Sequence, residues 1–147
     1  MSTYLITGTS KGIGLCLTAQ LLALPTTQVS HIFALSRGPP TPGLKELLTQ
    51  HGPERITHVT GAVDSDASIS GAAAEVRKVV EGKGMKGLDV LVNNAGIGGA
   101  SKMFTMEGYS AEEVGKFMET NVVGVHRCIV AFLPLLREGR EKKIVNM

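Results

Sequence analysis

The stretch TGTSKGIG, residues 7–14, follows a short apolar run at residues 4–6 and decides the fold. Its glycines end the run, and the next residues carry apolar side chains at helical spacing until Pro25 stops the pattern. A strand at 3–7, a glycine turn and a helix at 13–24 are therefore predicted in that order.

A strand that enters a helix through a glycine-rich turn makes an anion site by geometry. The N–H groups of the first helical turn are unpaired, and the positive end of the helix dipole faces the ligand. Gly8 would allow the tight turn, Gly12 would let the backbone approach a pyrophosphate, and Gly14 would let the helix pack close to the strand. Taken alone, the three glycines are also compatible with a merely flexible loop.

The rest of the chain alternates between apolar runs and helical patterns. Further strands are predicted at 29–36, 56–63, 88–92 and 143–147, and helices at 44–51, 68–81 and 114–136. A loop at 97–108, rich in Gly and Ser, leads into the last helix. This alternation indicates an α/β fold with parallel strands covered by helices on both faces.

Length and charge limit the class of protein. The 147 residues suit one hydrophobic core, and a single domain over residues 1–147 is predicted. The net charge is +2, aromatic residues make up 4% of the chain, and Lys and Arg are scattered along it. No nucleic-acid partner is therefore expected.

Cysteine usage and hydropathy give further expectations. Cys16 and Cys128 lie far apart in predicted helices without metal-ligand spacing, so neither a disulfide nor a metal site is expected. The N-terminal residues lack the pattern of a secretory leader, and no apolar run approaches the roughly 18 residues that span a bilayer. We expect no membrane partner and a cytoplasmic location.

Two further motifs follow the glycine loop. NNAG, residues 93–96, ends the predicted fourth strand, and Asn121 lies in ETNVVG within the last helix, where asparagine is a poor helix former. The asparagines of NNAG could also be ordinary turn residues. Together, TGTSKGIG, NNAG and Asn121 closely resemble, in order, the cofactor loop, the second signature and the helix asparagine of the short-chain dehydrogenase/reductase family.

The resemblance covers the chain from end to end and implies a Rossmann-type doubly wound parallel sheet of about five strands, without the C-terminal part of the family fold. It also implies a set of cofactor-binding residues at the carboxyl ends of the strands. These are Gly8, Ser10, Lys11, Gly12, Ile13, Gly14, Arg37, Asp64, Asn93, Ala95 and Gly96.

Two cations in this set favour NADP(H) as the cofactor. Arg37 follows the second strand, where NAD-using members would carry an acid, and an arginine there would clamp a 2′-phosphate. Lys11 would add a second positive charge at the same place. Asp64 matches an adenine-contacting aspartate of the family, but it could equally be the N-cap of the third helix.

The family's chemistry resembles hydride transfer between nicotinamide and a carbonyl or alcohol, carried by a tyrosine, a lysine, a serine and an asparagine. Only the asparagine has a match, Asn121, which is the predicted catalytic residue. Tyr4 and Tyr109 are not followed four positions later by lysine. The chain thus resembles a member truncated before its Ser and Tyr-x-x-x-Lys.

Three functions remain open at this point. The first is an NADP(H)-dependent carbonyl reductase or alcohol dehydrogenase acting on a small molecule. The second is a dinucleotide-binding sensor or partner subunit, and the third is a scaffold repurposed for isomerase or cyclase chemistry. Because the fifth strand and the long helix would be uncovered, we expect a homo-oligomer or a protein partner that covers them.

Overall fold

The computed structural model of the protein describes residues 1–98 and 108–147, so that residues 99–107 of the predicted loop lie outside the described residues. The strands of the described part are β1 (Ser2–Thr7), β2 (Val29–Ser36), β3 (Ile56–Thr60), β4 (Val90–Asn93) and β5 (Lys143–Asn146). The helices are α1 (Gly12–Ala23), α2 (Pro42–Arg55), α3 (Asp66–Gly82), α4 (Ala111–Met118) and α5 (Gly124–Glu138).

The strands form one parallel sheet in the order β3-β2-β1-β4-β5, which confirms the predicted α/β, Rossmann-type fold. The chain winds outward from β1 to β3, then returns to the other side of β1 for β4 and β5. Alternate residues of each strand face opposite layers. Leu5 and Phe33 belong to the core beneath α3 and α5, whereas Ile6 and Ile32 belong to the core beneath α1 and α2.

This winding places a crevice beside β1. The helices α1 and α5 pack on opposite faces of the sheet, so a crevice opens where the chain leaves the neighbouring strands β1 and β4. Ligands of open α/β sheets bind at such a switch point. The glycine loop after β1 and the NNAG segment after β4 both open onto it.

Several element boundaries differ from the predicted ones. β3 ends at Thr60 rather than at residue 63, because Thr60 pairs with Ser36, where β2 itself ends. α2 is longer than predicted and crosses a kink at Gly52, whose φ is 66°. β4 begins at Val90 rather than at residue 88, since the Leu88 amide donates to the Leu135 carbonyl instead of to the sheet.

The predicted helix 114–136 is not one continuous α-helix. A π-helical turn, Glu119–Val123, separates α4 from α5 and contains Asn121. A π-turn inserts an extra residue into the helix and is frequent at functional sites. The apolar residues keep their helical spacing through this turn, so the sequence pattern did not predict it.

The hydropathy expectation needs a correction. The helical stretch Ala111–Glu138 is long enough and apolar enough to cross a bilayer, with a mean hydropathy of 1.2. A core helix of a soluble protein meets the same criteria. Here 28% of the apolar window is buried, and Cys128, Phe132 and Leu135 of the stretch belong to the core beneath α3 and α5.

Candidate functional site

A cleft of about 350 Å³ lies at the carboxyl ends of the strands. Its walls are the glycine loop, the end of β2, the loop between β3 and α3, the residues after β4, and the π-turn. It brings together all the predicted cofactor residues except Gly14 and Asn93. Residues as far apart in sequence as Gly8 and Thr120 thus share one surface.

The glycine loop presents an uncapped helix end to this cleft. Gly8 and Gly12 have φ values of 74° and 60°, in the left-handed region that favours glycine. Lys11 is the N-cap of α1 without a side-chain capping bond, and the first turn contains no acidic residue. A Cβ atom at Gly12 would meet no atom within 4 Å. The loop therefore offers free amides and open space to an anion such as a phosphate.

The loop is held from behind by two threonines. The Thr9 hydroxyl donates to the Leu35 carbonyl over 3.1 Å, and the Thr41 hydroxyl donates to the Ser10 carbonyl over 2.7 Å. The first bond fixes the loop to β2, and the second fixes it to the start of α2. The sequence singled out Ser10 but gave no sign of the threonines that position it.

Gly14 lies behind the cleft, at the contact between α1 and the loop. A Cβ atom there would overlap the Gly8 carbonyl oxygen and would come within 2.5 Å of Asn94 Nδ2. The Gly8 carbonyl and the Asn94 side chain therefore approach α1 closely only because residue 14 has no side chain.

Replacing Gly14 with alanine is expected to destabilise the fold by about 1–3 kcal/mol, the usual cost of overpacking. Gly71→Ala is the matched control, because Gly71 is an exposed glycine within α3 whose Cβ would meet nothing within 4 Å. It should stabilise the chain by about 0.5–1 kcal/mol. Denaturant unfolding of both variants measures the difference, and equal stabilities would contradict the close contact at Gly14.

Asn94 joins the segment after β4 to the glycine loop. Its side-chain Nδ2 donates to the carbonyls of Thr7 and Gly8, over 2.9 and 3.3 Å. The Thr7 hydroxyl in turn accepts the amides of Asn94 and Ala95, over 3.0 and 2.9 Å. The sequence named Asn94 as part of NNAG but did not place it among the binding residues, and Thr7 was missed.

Asn93 occupies a different place from the one predicted. It is 3% exposed and donates through Nδ2 to Asn146 Oδ1 over 2.9 Å, which links β4 to β5 below the cleft. Its Oδ1 is buried and has no hydrogen-bond partner among the described protein atoms. The two asparagines of NNAG therefore point to different surroundings, and Asn94, not Asn93, lines the cleft.

Arg37 and Lys11 lie at the wall of the cleft formed by β2 and the glycine loop. Both side chains are exposed, and within residues 1–98 and 108–147 neither has an ion-pair partner. Asp64 lines the cleft from the loop after β3. It is not the N-cap of α3, as one reading of the sequence allowed, because Ser65 takes that position and accepts the Ser68 amide.

Asn121 projects from the π-turn onto the segment after β4. Its Oδ1 accepts the Ile97 amide over 2.9 Å, and its Nδ2 donates to the Ile97 carbonyl over 2.8 Å. A Cβ at Gly96 would lie 3.2 Å from the same Oδ1. The side chain thus fixes one wall of the cleft, and its catalytic role stays a prediction.

Arg127 of α5 does not line the cleft, but it contacts two of the segments that form its walls. Its Nε donates to Asp66 Oδ1 over 2.8 Å, and another guanidinium nitrogen lies 2.6 Å from Glu119 Oε1. A longer bond of 3.4 Å reaches the carbonyl of Val63, which lines the cleft. The contacts join the loop after β3 to the π-turn. A single arginine in an amphipathic helix gives no sequence signal for this role.

The described residues give no candidate metal centre: within 1–98 and 108–147, no three His, Cys, Asp or Glu side chains are grouped so that they could hold an ion. Both cysteines are free. Burial raises the pKa of the Cys128 thiol to about 11, so this thiol is protonated at neutral pH.

Comparison with known proteins agrees with the fold. The model of the family described as short chain dehydrogenase matches residues 2–147, and the chain belongs to that family. A short-chain dehydrogenase/reductase of Aspergillus aculeatus, AacuF, is 34% identical over 100% of this chain and 54% of its own length. An NADPH-dependent pterin aldehyde reductase of Arabidopsis thaliana is 36% identical over 99% of this chain and 55% of its own.

Solved structures give the same result. The NADPH-bound carbonyl reductase from chicken fatty liver is 33% identical with a TM-score of 0.78, covering 94% of this chain and 52% of that one. The carbonyl reductase Sniffer of Drosophila melanogaster is 28% identical with a TM-score of 0.86, covering 100% and 61%. The chain thus spans about half the length of the curated relatives it matches.

Proposed function

We propose that the cleft binds a nicotinamide dinucleotide, with preference for NADP(H), and that the chain belongs to a carbonyl reductase or alcohol dehydrogenase acting on a small molecule. One observation carries the proposal: an uncapped, glycine-lined helix end and two free cations lie in the same cleft. Two relatives support the same cofactor, since the Arabidopsis reductase is NADPH-dependent and the chicken reductase was solved with NADPH bound.

Each part of the cleft suits one part of such a ligand. The open space above Gly12 and the amides of α1 would receive the pyrophosphate. Arg37 would bind a 2′-phosphate through two parallel hydrogen bonds, with Lys11 adding charge nearby. Asp64 would accept a hydrogen bond from the adenine, and Ala95 and Gly96 would form the opposite wall.

A bound nicotinamide dinucleotide supplies a hydride donor or acceptor for a carbonyl or an alcohol. The residues of this chain bind and orient, since the Asn94 and Asn121 side chains hold the glycine loop and the Ile97 segment in place. A second candidate function, a dinucleotide-binding subunit or sensor, would use the same cleft for binding alone.

The proposal includes a protein partner and a cytoplasmic location. Val114, Met118 and Val122 recur every four residues along α4 and the π-turn and are 44%, 53% and 52% exposed. β5 pairs with β4 and is exposed along its whole length. An exposed apolar stripe and an exposed edge strand favour a second copy of the chain or another protein that covers them.

Calorimetric titration of the 147-residue chain with NADPH and with NADH tests the function. We expect both to bind, with NADPH tighter by about tenfold or more, the scale of one charge-assisted contact. Absence of binding would overturn the dinucleotide site, and equal affinities would overturn the preference for NADP(H).

Arg127→Gln is expected to weaken both dinucleotides by roughly threefold to tenfold, because the loop after β3 and the π-turn lose their common partner. Arg77→Gln is the matched control: Arg77 also joins α3 to α5, through Glu138, but lies away from the cleft. Its affinities should equal those of the unsubstituted chain. Equal losses in the two variants, measured by the same titration, would show that Arg127 has no particular link to the cleft.

A further inference from the structure

A histidine that does not line the cleft contacts the strand end that carries Arg37. His58 of β3 places Nε2 2.8 Å from the hydroxyl oxygen of Ser36, the last residue of β2. The same hydroxyl lies 2.9 Å from the Gly38 carbonyl oxygen. Ser36 lines the cleft and is 2% exposed, so this pair of bonds is built into its wall.

The donors and acceptors of this chain of bonds can be assigned. A serine hydroxyl has one proton to give. When that proton is donated to the Gly38 carbonyl, the Ser36 oxygen can only accept from His58, whose Nε2 must then carry a hydrogen. Burial lowers the pKa of the His58 imidazole, against the opposing effects of Glu75 and the Gly38 carbonyl. The neutral imidazole with hydrogen on Nε2 fits this arrangement.

The two hydrogen bonds lie on either side of Arg37 in the chain. Ser36, before it, is held by His58, and Gly38, after it, is held by the Ser36 hydroxyl. The Arg37 side chain itself is exposed and has no ion-pair or hydrogen-bond partner among the described residues. The backbone therefore fixes where this side chain starts and the direction of its Cα–Cβ bond, and that backbone is held by the two neighbouring residues.

We propose that His58 is a positioning residue for Arg37 and that, through Ser36, it contributes to the selectivity of the cleft for a 2′-phosphorylated dinucleotide. The inference rests on the proposed function, since it concerns how Arg37 is presented to that phosphate. The proposal adds a specificity determinant on the edge strand β3. His58 does not line the cleft and acts through Ser36, which does.

The test is titration of the 147-residue chain and its variants with NADPH and NADH. His58→Ala should weaken NADPH by about fivefold to tenfold, the scale of one ordinary hydrogen bond, and leave NADH unchanged. His58→Gln should restore most of the loss, because its amide nitrogen can donate in place of Nε2. His126→Ala, which alters an exposed histidine of α5, should change neither affinity.

A double-substitution cycle separates positioning from a general structural effect. In a chain that already carries Arg37→Ala, adding His58→Ala should leave the ratio of the NADPH and NADH affinities unchanged. Equal weakening of NADPH and NADH by His58→Ala, or a further change of the ratio without Arg37, would overturn the positioning role.

Failure of this inference and of the proposed function give different results. If Arg37→Ala leaves the affinity ratio unchanged, the preference for NADP(H) assigned to Arg37 is wrong, and the role of His58 falls with it. When Arg37→Ala lowers the ratio but His58→Ala does not, only the role of His58 is overturned. If the unsubstituted chain binds neither dinucleotide, both are overturned.

Discussion

Replacement of Gly12 by valine is expected to abolish binding of NADPH and NADH while the chain stays folded. Gly12 is exposed in the cleft, and a Cβ there would contact no protein atom within 4 Å. The added methyl groups would therefore not disturb the core; they would occupy the space through which a pyrophosphate approaches the amides of α1.

Backbone strain is a competing cause, because Gly12 has a φ of 60° and a left-handed conformation costs an L-residue about 1–2 kcal/mol. Gly84→Val controls for it. Gly84 has a φ of 64°, is exposed, and has no atom within 4 Å of an added Cβ, but it lies after α3, away from the cleft. Both variants should lose similar stability in denaturant unfolding, and only Gly12→Val should fail to bind in calorimetry. Retained affinity in Gly12→Val would contradict the phosphate site.

Arg37→Asp is expected to reduce NADPH affinity by about 100-fold or more, because a charge-assisted contact is lost and a repulsive carboxylate takes its place. NADH, which has no 2′-phosphate, should bind with unchanged or improved affinity, since an acid at this position can accept hydrogen bonds from the ribose hydroxyls. Parallel titrations with the two dinucleotides measure the reversal of preference.

The matched control for charge is Arg137→Asp. Arg137 is an exposed arginine in the last turn of α5, and its replacement makes the same change in net charge. It should leave the preference for NADPH intact, because exposed charges more than about 10 Å apart are largely screened at ordinary ionic strength. Similar losses of NADPH affinity in both variants would indicate an effect of net charge rather than a contact of Arg37.

The differences between Asn93 and Asn94 show what the sequence could not predict. Adjacent residues at the end of a strand point in opposite directions, so a motif of two asparagines does not tell which one faces the crevice. In the structure, Asn94 binds the glycine loop through Thr7 and Gly8, and Asn93 binds Asn146 of the neighbouring strand. These partners are 53 to 87 positions away in sequence.

The sequence by itself determined the alternation of strands and helices, the glycine turn after β1 and the family, because periodicity, glycine placement and short motifs are local properties of the chain. Only the tertiary structure decided where β3 ends, since its partner strand stops there, and where the π-turn falls. It also decided which groups two further side chains contact: Glu119 and Asp66 for Arg127, and Ser36 for His58. Such contacts follow from the register and packing of distant elements, which no local pattern specifies.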